Sequence, residues 1–181
     1  KDIFLIVNHS ISEESDKSGE QMKIIFDSIE KYDVNKIFIM PNSDAGSLNI
    51  RKIIGIKGCS NLHHIFYNLP RIDYINLMRE CKIMIGNSSS GIMEAPSFKL
   101  PVVNIGRRQI GRLQGGNVIN VDKYNIENIQ NAIDKGLSKK FNISIENVKN
   151  PYGEKSVSKN IVNILKNIKM NNKLLYKEIT Y

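Results

Sequence analysis

The residues that read most directly as chemistry lie between Ile83 and Gly91, where an apolar stretch runs into Gly86, Asn87 and three consecutive serines. A strand ending there and a helix beginning there would leave backbone N–H groups and serine hydroxyls converging on one point. That is an anion site. Ser88 and Ser89 are the candidates for holding a diphosphate; the competing reading is that Asn87 or Ser88 simply caps the helix, as such residues commonly do. The loop is not a Walker loop, since no Gly-Lys-Ser or Gly-Lys-Thr follows, and it is not a GxGxxG dinucleotide fingerprint. Glu94 lies about a turn and a half into the same helix. A carboxylate there repels a phosphate placed beside it but can accept hydrogen bonds from a ribose diol, unless it is only a solvated helical Glu.

Two further features point the same way. The segment Gly106–Gly116 contains four glycines and three arginines, and arginine forks match pairs of phosphate oxygens. Long loops after strands usually carry function, and Arg108 is the preferred contact; the bland alternative is a solvated connection whose arginines pair with surface acids. His9 directly follows the first apolar run. An imidazole at the carboxyl end of a strand suits proton donation to a departing diphosphate near neutral pH, although a lone histidine is more often a packing residue. His63 and His64 fall at the start or interior of a strand and read as structural.

The elements that must hold these residues alternate in period. Ile3 to Asn8, Lys36 to Pro41, Leu62 to Leu69, Lys82 to Ile85, Pro101 to Ile105 and Asn117 to Val121 read as strands. Helices are predicted at about Ser18 to Tyr32, Ser47 to Lys57, Ile72 to Glu80 and Ser89 to Phe98. After Val121 the pattern is helical, at about Ile126 to Leu137 and Gly153 to Asn171, with a polar connection from Lys139 to Pro151. Repeated β-α units require crossovers that cover a parallel sheet, so the expected fold class is a Rossmann-like, doubly wound α/β domain. Such sheets bind ligands beyond the carboxyl ends of their strands, which draws attention to His9, Asn42 to Gly46, Pro70, Gly86 to Gly91 and Gly106 to Gly116.

Composition bounds the answer. The chain has 181 residues, 41% of them hydrophobic, enough for one core and one domain over residues 1–181. No apolar run reaches the roughly 20 residues that a membrane helix needs. The first residues enter an apolar run without an initiator Met or a basic leader, so no secretory signal is read and the start looks like a cut through a longer protein. Cys59 and Cys81 are too few and too isolated for a disulfide framework or a zinc site, which fits a cytoplasmic address. The 26 Lys and Arg against 18 Asp and Glu give a net charge of +8, which invites a nucleic-acid partner. The bases are spread along the chain with no interleaved aromatic platform, so a cleft for a small phosphorylated ligand explains the charge better.

In order and spacing, GNSSSGIMEAPSF (Gly86–Phe98), LPVVNIGRRQIGR (Leu100–Arg112) and GGNVINV (Gly115–Val121), with PNSDAGS (Pro41–Ser47) and the strand-terminal His9, resemble the hydrolysing UDP-N-acetylglucosamine 2-epimerases of sialic and related nonulosonic acid biosynthesis. The likeness covers about residues 3 to 122. It implies a two-domain GT-B architecture with UDP held between Rossmann-like halves, of which this sequence matches the carboxyl-terminal one. It also implies that Ser88 and Ser89 hold phosphate, Glu94 the ribose, Asn42 and Arg108 the nucleotide or diphosphate, and that His9 is the catalytic residue on the diphosphate side. The last helix would cross back onto the other domain. Lys99, where the family often has a helix-ending Gly, and Ser10, where a Pro is common, are departures from the pattern.

The resemblance further implies elimination of UDP across C1 and C2 to a 2-acetamidoglycal, then addition of water to release the 2-epimer, such as N-acetylmannosamine. No metal or NAD cofactor is implied; the partner is a UDP-sugar, and a homo-oligomer is left open for the full-length form. The acid/base carboxylates of the family come largely from the amino-terminal domain, so the piece is expected to bind UDP weakly without turnover. A GT-B glycosyltransferase donor half and a non-catalytic nucleotide- or RNA-binding module are the alternatives.

Overall fold

A computed structural model of the protein describes residues 1–153 and 156–175. Six parallel strands form one sheet: β1 (Ile3–Val7), β2 (Asn35–Ile39), β3 (His63–Phe66), β4 (Ile83–Gly86), β5 (Val102–Ile105) and β6 (Val118–Val121), in the order β3-β2-β1-β4-β5-β6. The helices are α1 (Ser18–Ile29), α2 (Ser47–Lys57), α3 (Arg71–Glu80), α4 (Ser90–Met93), α5 (Ile126–Leu137), α6 (Lys139–Ile145), α7 (Val157–Asn167) and α8 (Asn172–Leu175). This is the expected doubly wound α/β fold. Its order reverses at β1, so the crevice between β1 and β4 is the switch point at which such sheets bind ligands.

The central strands read as unbroken apolar runs because both faces of the sheet are covered. Phe4 and Ile6, Ile83 and Ile85, and Val103 and Ile105 face one core with α1, α2 and α5; Leu5 and Val7, Met84 and Val102 face the other with Met78 of α3, Cys81 and Ala95. Met22, Ile25, Phe26 and Ile29 of α1 are buried at the spacing of a single helix face. Ile129, Ala132, Ile133 and Gly136 repeat that spacing on α5, whose start is capped by the Asn125 side chain accepting from Asn128 N–H. His63 begins β3 and packs edge-on against the stacked rings of Phe26 and Phe38, a structural role as expected. No helix among the described residues is long and apolar enough to cross a membrane.

Several boundaries differ from the sequence reading. The strand expected over Leu62 to Leu69 shortens to His63–Phe66, and Tyr67 and Asn68 run on as an exposed loop. The helix expected over Ser89 to Phe98 is four residues of α4 followed by a 3-10 turn, Ala95–Phe98; Pro96 lacks the N–H that a continuing α-helix would use. The polar connection from Lys139 to Pro151 instead opens with α6, whose start Ser138 caps by accepting from Phe141 N–H and whose Ile145 is buried. A further 3-10 turn, Ser12–Lys17, follows β1. Of the final helix expected over Gly153 to Asn171, Val157–Asn167 is helical with no buried residue, while Glu154 and Lys155 lie outside the described residues. Lys99 takes the left-handed conformation, φ 56° and ψ 28°, which is why a glycine suits that position.

Gly86 carries the tightest backbone approach in the sheet. Its φ is +131°, and a Cβ there would lie 2.1 Å from the Val7 carbonyl oxygen of the paired strand. Gly86→Ala must therefore part β1 from β4 or distort both. The expected cost is about 3 kcal/mol or more, a fall in Tm of about 6–12 °C for a domain of this size. Thermal unfolding followed by circular dichroism measures it, and an unchanged Tm would show that the close approach is not a constraint.

Candidate functional site

The loops after β1, β4 and β5 meet around one side chain. Asn87 is fully buried, and its carboxamide oxygen accepts from the His9 backbone N–H at 2.7 Å while its NH2 donates to the His9 carbonyl at 2.8 Å. Its own carbonyl accepts from Gln109 Nε2 at 2.7 Å and from Arg108 Nη1 at 3.3 Å. Asn87 therefore caps no helix. It fastens the end of β1 to the end of β4 and collects the arginine loop onto both.

His9 is mostly buried, and its pKa is lowered, first by desolvation and then by the Arg108 charge, against smaller opposing effects of Asn42 and Asp44. The Asn42 backbone N–H donates to Nδ1 at 3.4 Å. That contact favours the neutral ring with its proton on Nε2. A neutral His9 with its proton on Nε2 is a hydrogen-bond donor. The Asn42 side chain also donates to Asp44 at 2.7 Å. Ser18, at the start of α1, fixes this loop by donating to the Gly46 carbonyl at 2.8 Å.

Ser88, Ser89 and Ser90 line the other side, all half-buried. Ser88 Oγ lies 2.9 Å from Ser90 Oγ, which lies 2.7 Å from the Tyr74 hydroxyl of α3. Ser89 makes no side-chain cap on α4. With only four residues, α4 has little macrodipole. Glu94 follows α4 and pairs with Arg71 Nη1 at 2.6 Å. Arg107 pairs with Glu14 at 2.6 Å, while Arg108 reaches the Asn87 carbonyl at the switch point.

His9, Arg71, Tyr74, Ser88 and Ser90 line a cleft of about 320 Å³. Ser89 and Glu94 line an adjoining hollow of about 240 Å³ with Tyr152. Depressions of about 430 Å³ beside β6 and α5 and about 480 Å³ at the start of α2 are larger, but neither gathers imidazole, hydroxyls and arginine. The structure brings His9, Asn42, Ser88 and Arg108 to the switch point, and sets Ser89 and Glu94 just beyond it. Sequence reasoning missed Asn87 as a clamp, along with buried Gln109, Arg71 and Tyr74. The place of the Pro70 loop at a strand's end is the one sequence signal that leads toward Arg71.

One consequence is measurable without any ligand. Proton NMR of the His9 ring should show a titration midpoint below 6.5, and Arg108→Ala should move it upward, because removing a nearby positive charge relieves the imidazolium. A midpoint at or above 6.5 would contradict the burial and charge described.

A family model described as UDP-N-acetylglucosamine 2-epimerase matches residues 1–166. The hydrolysing UDP-N,N'-diacetylbacillosamine 2-epimerase of Legionella pneumophila is 33% identical over 177 residues, 98% of this chain and 46% of that protein. The hydrolysing GDP/UDP-N,N'-diacetylbacillosamine 2-epimerase of Campylobacter jejuni is 35% identical over 144 residues, 78% of this chain and 37% of that protein. The chain thus spans less than half the length of these relatives. Among solved structures, UDP-GlcNAc 2-epimerase from Neisseria meningitidis bound to UDP-GlcNAc matches with a TM-score of 0.73 at 21% identity, over 92% of this chain and 45% of that one. The Methanocaldococcus jannaschii enzyme in complex with UDP-GlcNAc and UDP matches with a TM-score of 0.70 at 23% identity, over 91% and 45%. At such identity the structures speak for the fold. The family-wide match and the near full-length alignment of this chain to its curated relatives carry the rest: the chain belongs to the hydrolysing UDP-N-acetylglucosamine 2-epimerase family.

Proposed function

We propose that residues 1–181 are the UDP-binding, carboxyl-terminal half of a GT-B enzyme that hydrolyses and epimerises a UDP-2-acetamido sugar. The observation that carries this reading is the convergence of His9, Ser88 and Arg108 about buried Asn87 at the switch point. In this reading Ser88, Ser89 and Arg108 bind the diphosphate, and Glu94 accepts from the ribose diol, with Arg71 moving with it or giving way. Asn42 sets the His9 ring through its backbone N–H. Membership of the family and its nucleotide-bound structural neighbours support a nucleotide sugar as the ligand.

The chemistry then runs as follows. A carboxylate of the amino-terminal half removes the C2 proton, the C1–O bond breaks, and UDP departs with the bonding pair, leaving a 2-acetamidoglycal. Water then adds its hydroxyl at C1 and a proton returns to C2 from the other face, giving the free 2-epimer. Arg108 and the serines stabilise the charge that grows on the departing diphosphate. His9 donates a hydrogen bond from Nε2, and the arriving anion raises its pKa toward the proton-donating form. No step calls on NAD or a metal, and the isolated chain lacks the base, so it binds without turning over. We assign the full-length protein to the cytoplasm, with a UDP-sugar rather than a nucleic acid as its partner.

Calorimetric titration of this chain with UDP, GDP, UMP and uridine tests the reading. UDP should bind saturably and more tightly than UMP. Ser89→Ala should weaken UDP about tenfold, the value of a hydrogen bond to a charged group, while leaving uridine alone; Glu94→Ala should weaken both. Failure of UDP to bind at millimolar concentration, or catalytic turnover by this chain alone, would contradict it.

A further inference from the structure

Tyr74 stands one residue removed from the diphosphate loop. Its ring packs against the core beneath β1 and β4, and its hydroxyl reaches Ser90 Oγ at 2.7 Å, which in turn lies 2.9 Å from Ser88 Oγ. Each hydroxyl has a single proton to give, so the chain has two possible directions, and they present opposite faces to a ligand. If the phenol donates to Ser90 and Ser90 donates to Ser88, the Ser88 O–H is left to point outward. In the reverse direction Ser88 gives its proton inward and shows only lone pairs.

Three observations favour the outward direction. Ser88 Oγ already accepts from the Ser90 backbone N–H at 3.4 Å. A phenol is a better donor than an aliphatic hydroxyl, and Tyr74 keeps its proton, its pKa being raised chiefly by burial. The other acceptor near Ser90 Oγ is the Met84 sulfur at 4.0 Å, which competes weakly. Phosphate oxygens only accept, so an arriving diphosphate favours the same direction, and donors in series strengthen one another.

We infer that Tyr74 is a positioning residue: the hydroxyl chain from Tyr74 through Ser90 keeps the Ser88 O–H aimed at the diphosphate. The inference rests on the reading of Ser88 as a diphosphate contact. Tyr74 acts through Ser90 and Ser88. Its contribution is orientation, so it distinguishes ligands with a diphosphate from those without one.

A double-mutant cycle separates this from a packing role. NMR-monitored titrations with UDP and with uridine are made on the unaltered chain, Tyr74→Phe, Ser88→Ala and the double variant. Tyr74→Phe keeps the ring; it should weaken UDP about three- to tenfold, the usual range for one oriented hydrogen bond, and leave uridine affinity unchanged. In the Ser88→Ala background the same substitution should have no further effect on UDP. Equal weakening in both backgrounds, equal weakening of UDP and uridine, or no weakening by Tyr74→Phe where Ser88→Ala does weaken UDP would overturn the inference alone. Indifference of UDP binding to Ser88→Ala would remove the reading of Ser88 and the inference together.

Discussion

The parallel ladder between β1 and β4 continues past the point where the two strands end. Val7 pairs with Gly86 at their last shared position, Asn87 N–H then donates to the Val7 carbonyl at 3.2 Å, and the Asn87 carboxamide completes the run by bonding both backbone groups of His9. A side chain here does what a further strand residue would do. It holds two loops in register while freeing the backbone of each to turn away from the sheet. Because the Asn87 carbonyl also gathers Arg108 and Gln109, three of the site's loops share one fully buried origin. The absent Cβ of Gly86 is what lets the strands approach closely enough for this to form.

On that frame the site separates charge from hydrogen-bonding capacity. Arg108 supplies positive charge beside an imidazole kept neutral by burial and by that same charge, while Arg107 is neutralised by Glu14 and Arg71 by Glu94. Of these three arginines, Arg108 is the one without an ion pair among the described residues. A neutral His9, the serine hydroxyls and one unpaired guanidinium make a weakly cationic, donor-rich pocket. Such a pocket suits a group whose negative charge increases as a bond breaks, since stabilisation then grows with the reaction.

Much of this was legible in order of residues. The β-α alternation, the apolar runs of the central strands and the helix-face spacing of α1 and α5 are local patterns, and local patterns decided the fold class. The candidate loops were legible too, because in a parallel sheet every strand's carboxyl end lies on one side, so knowing where strands end is enough to know which residues cluster. Errors fell where a local signal was absent or misleading. The start of α6 hides in polar residues whose cap, Ser138, is an ordinary serine, and the helix after Ser90 stops early because of Pro96, whose effect the hydrophobic pattern masked.

What the sequence by itself determined is therefore the set of elements, the side of the sheet on which His9, Asn42, Ser88, Ser89, Glu94 and Arg108 gather, and the family motifs that contain them. What only the tertiary structure decided is the partnership among them. Asn87 looks like a helix cap in sequence and is a clamp on a residue 78 positions away; Tyr74, Arg71 and Gln109 carry no motif, yet each closes a contact across 16 to 23 positions of chain. Periodicity reports which face of its own element a side chain occupies. Hydrogen-bond partners, protonation and the direction of a hydroxyl chain depend on distances between elements, and those distances exist only once the sheet has brought the loops together.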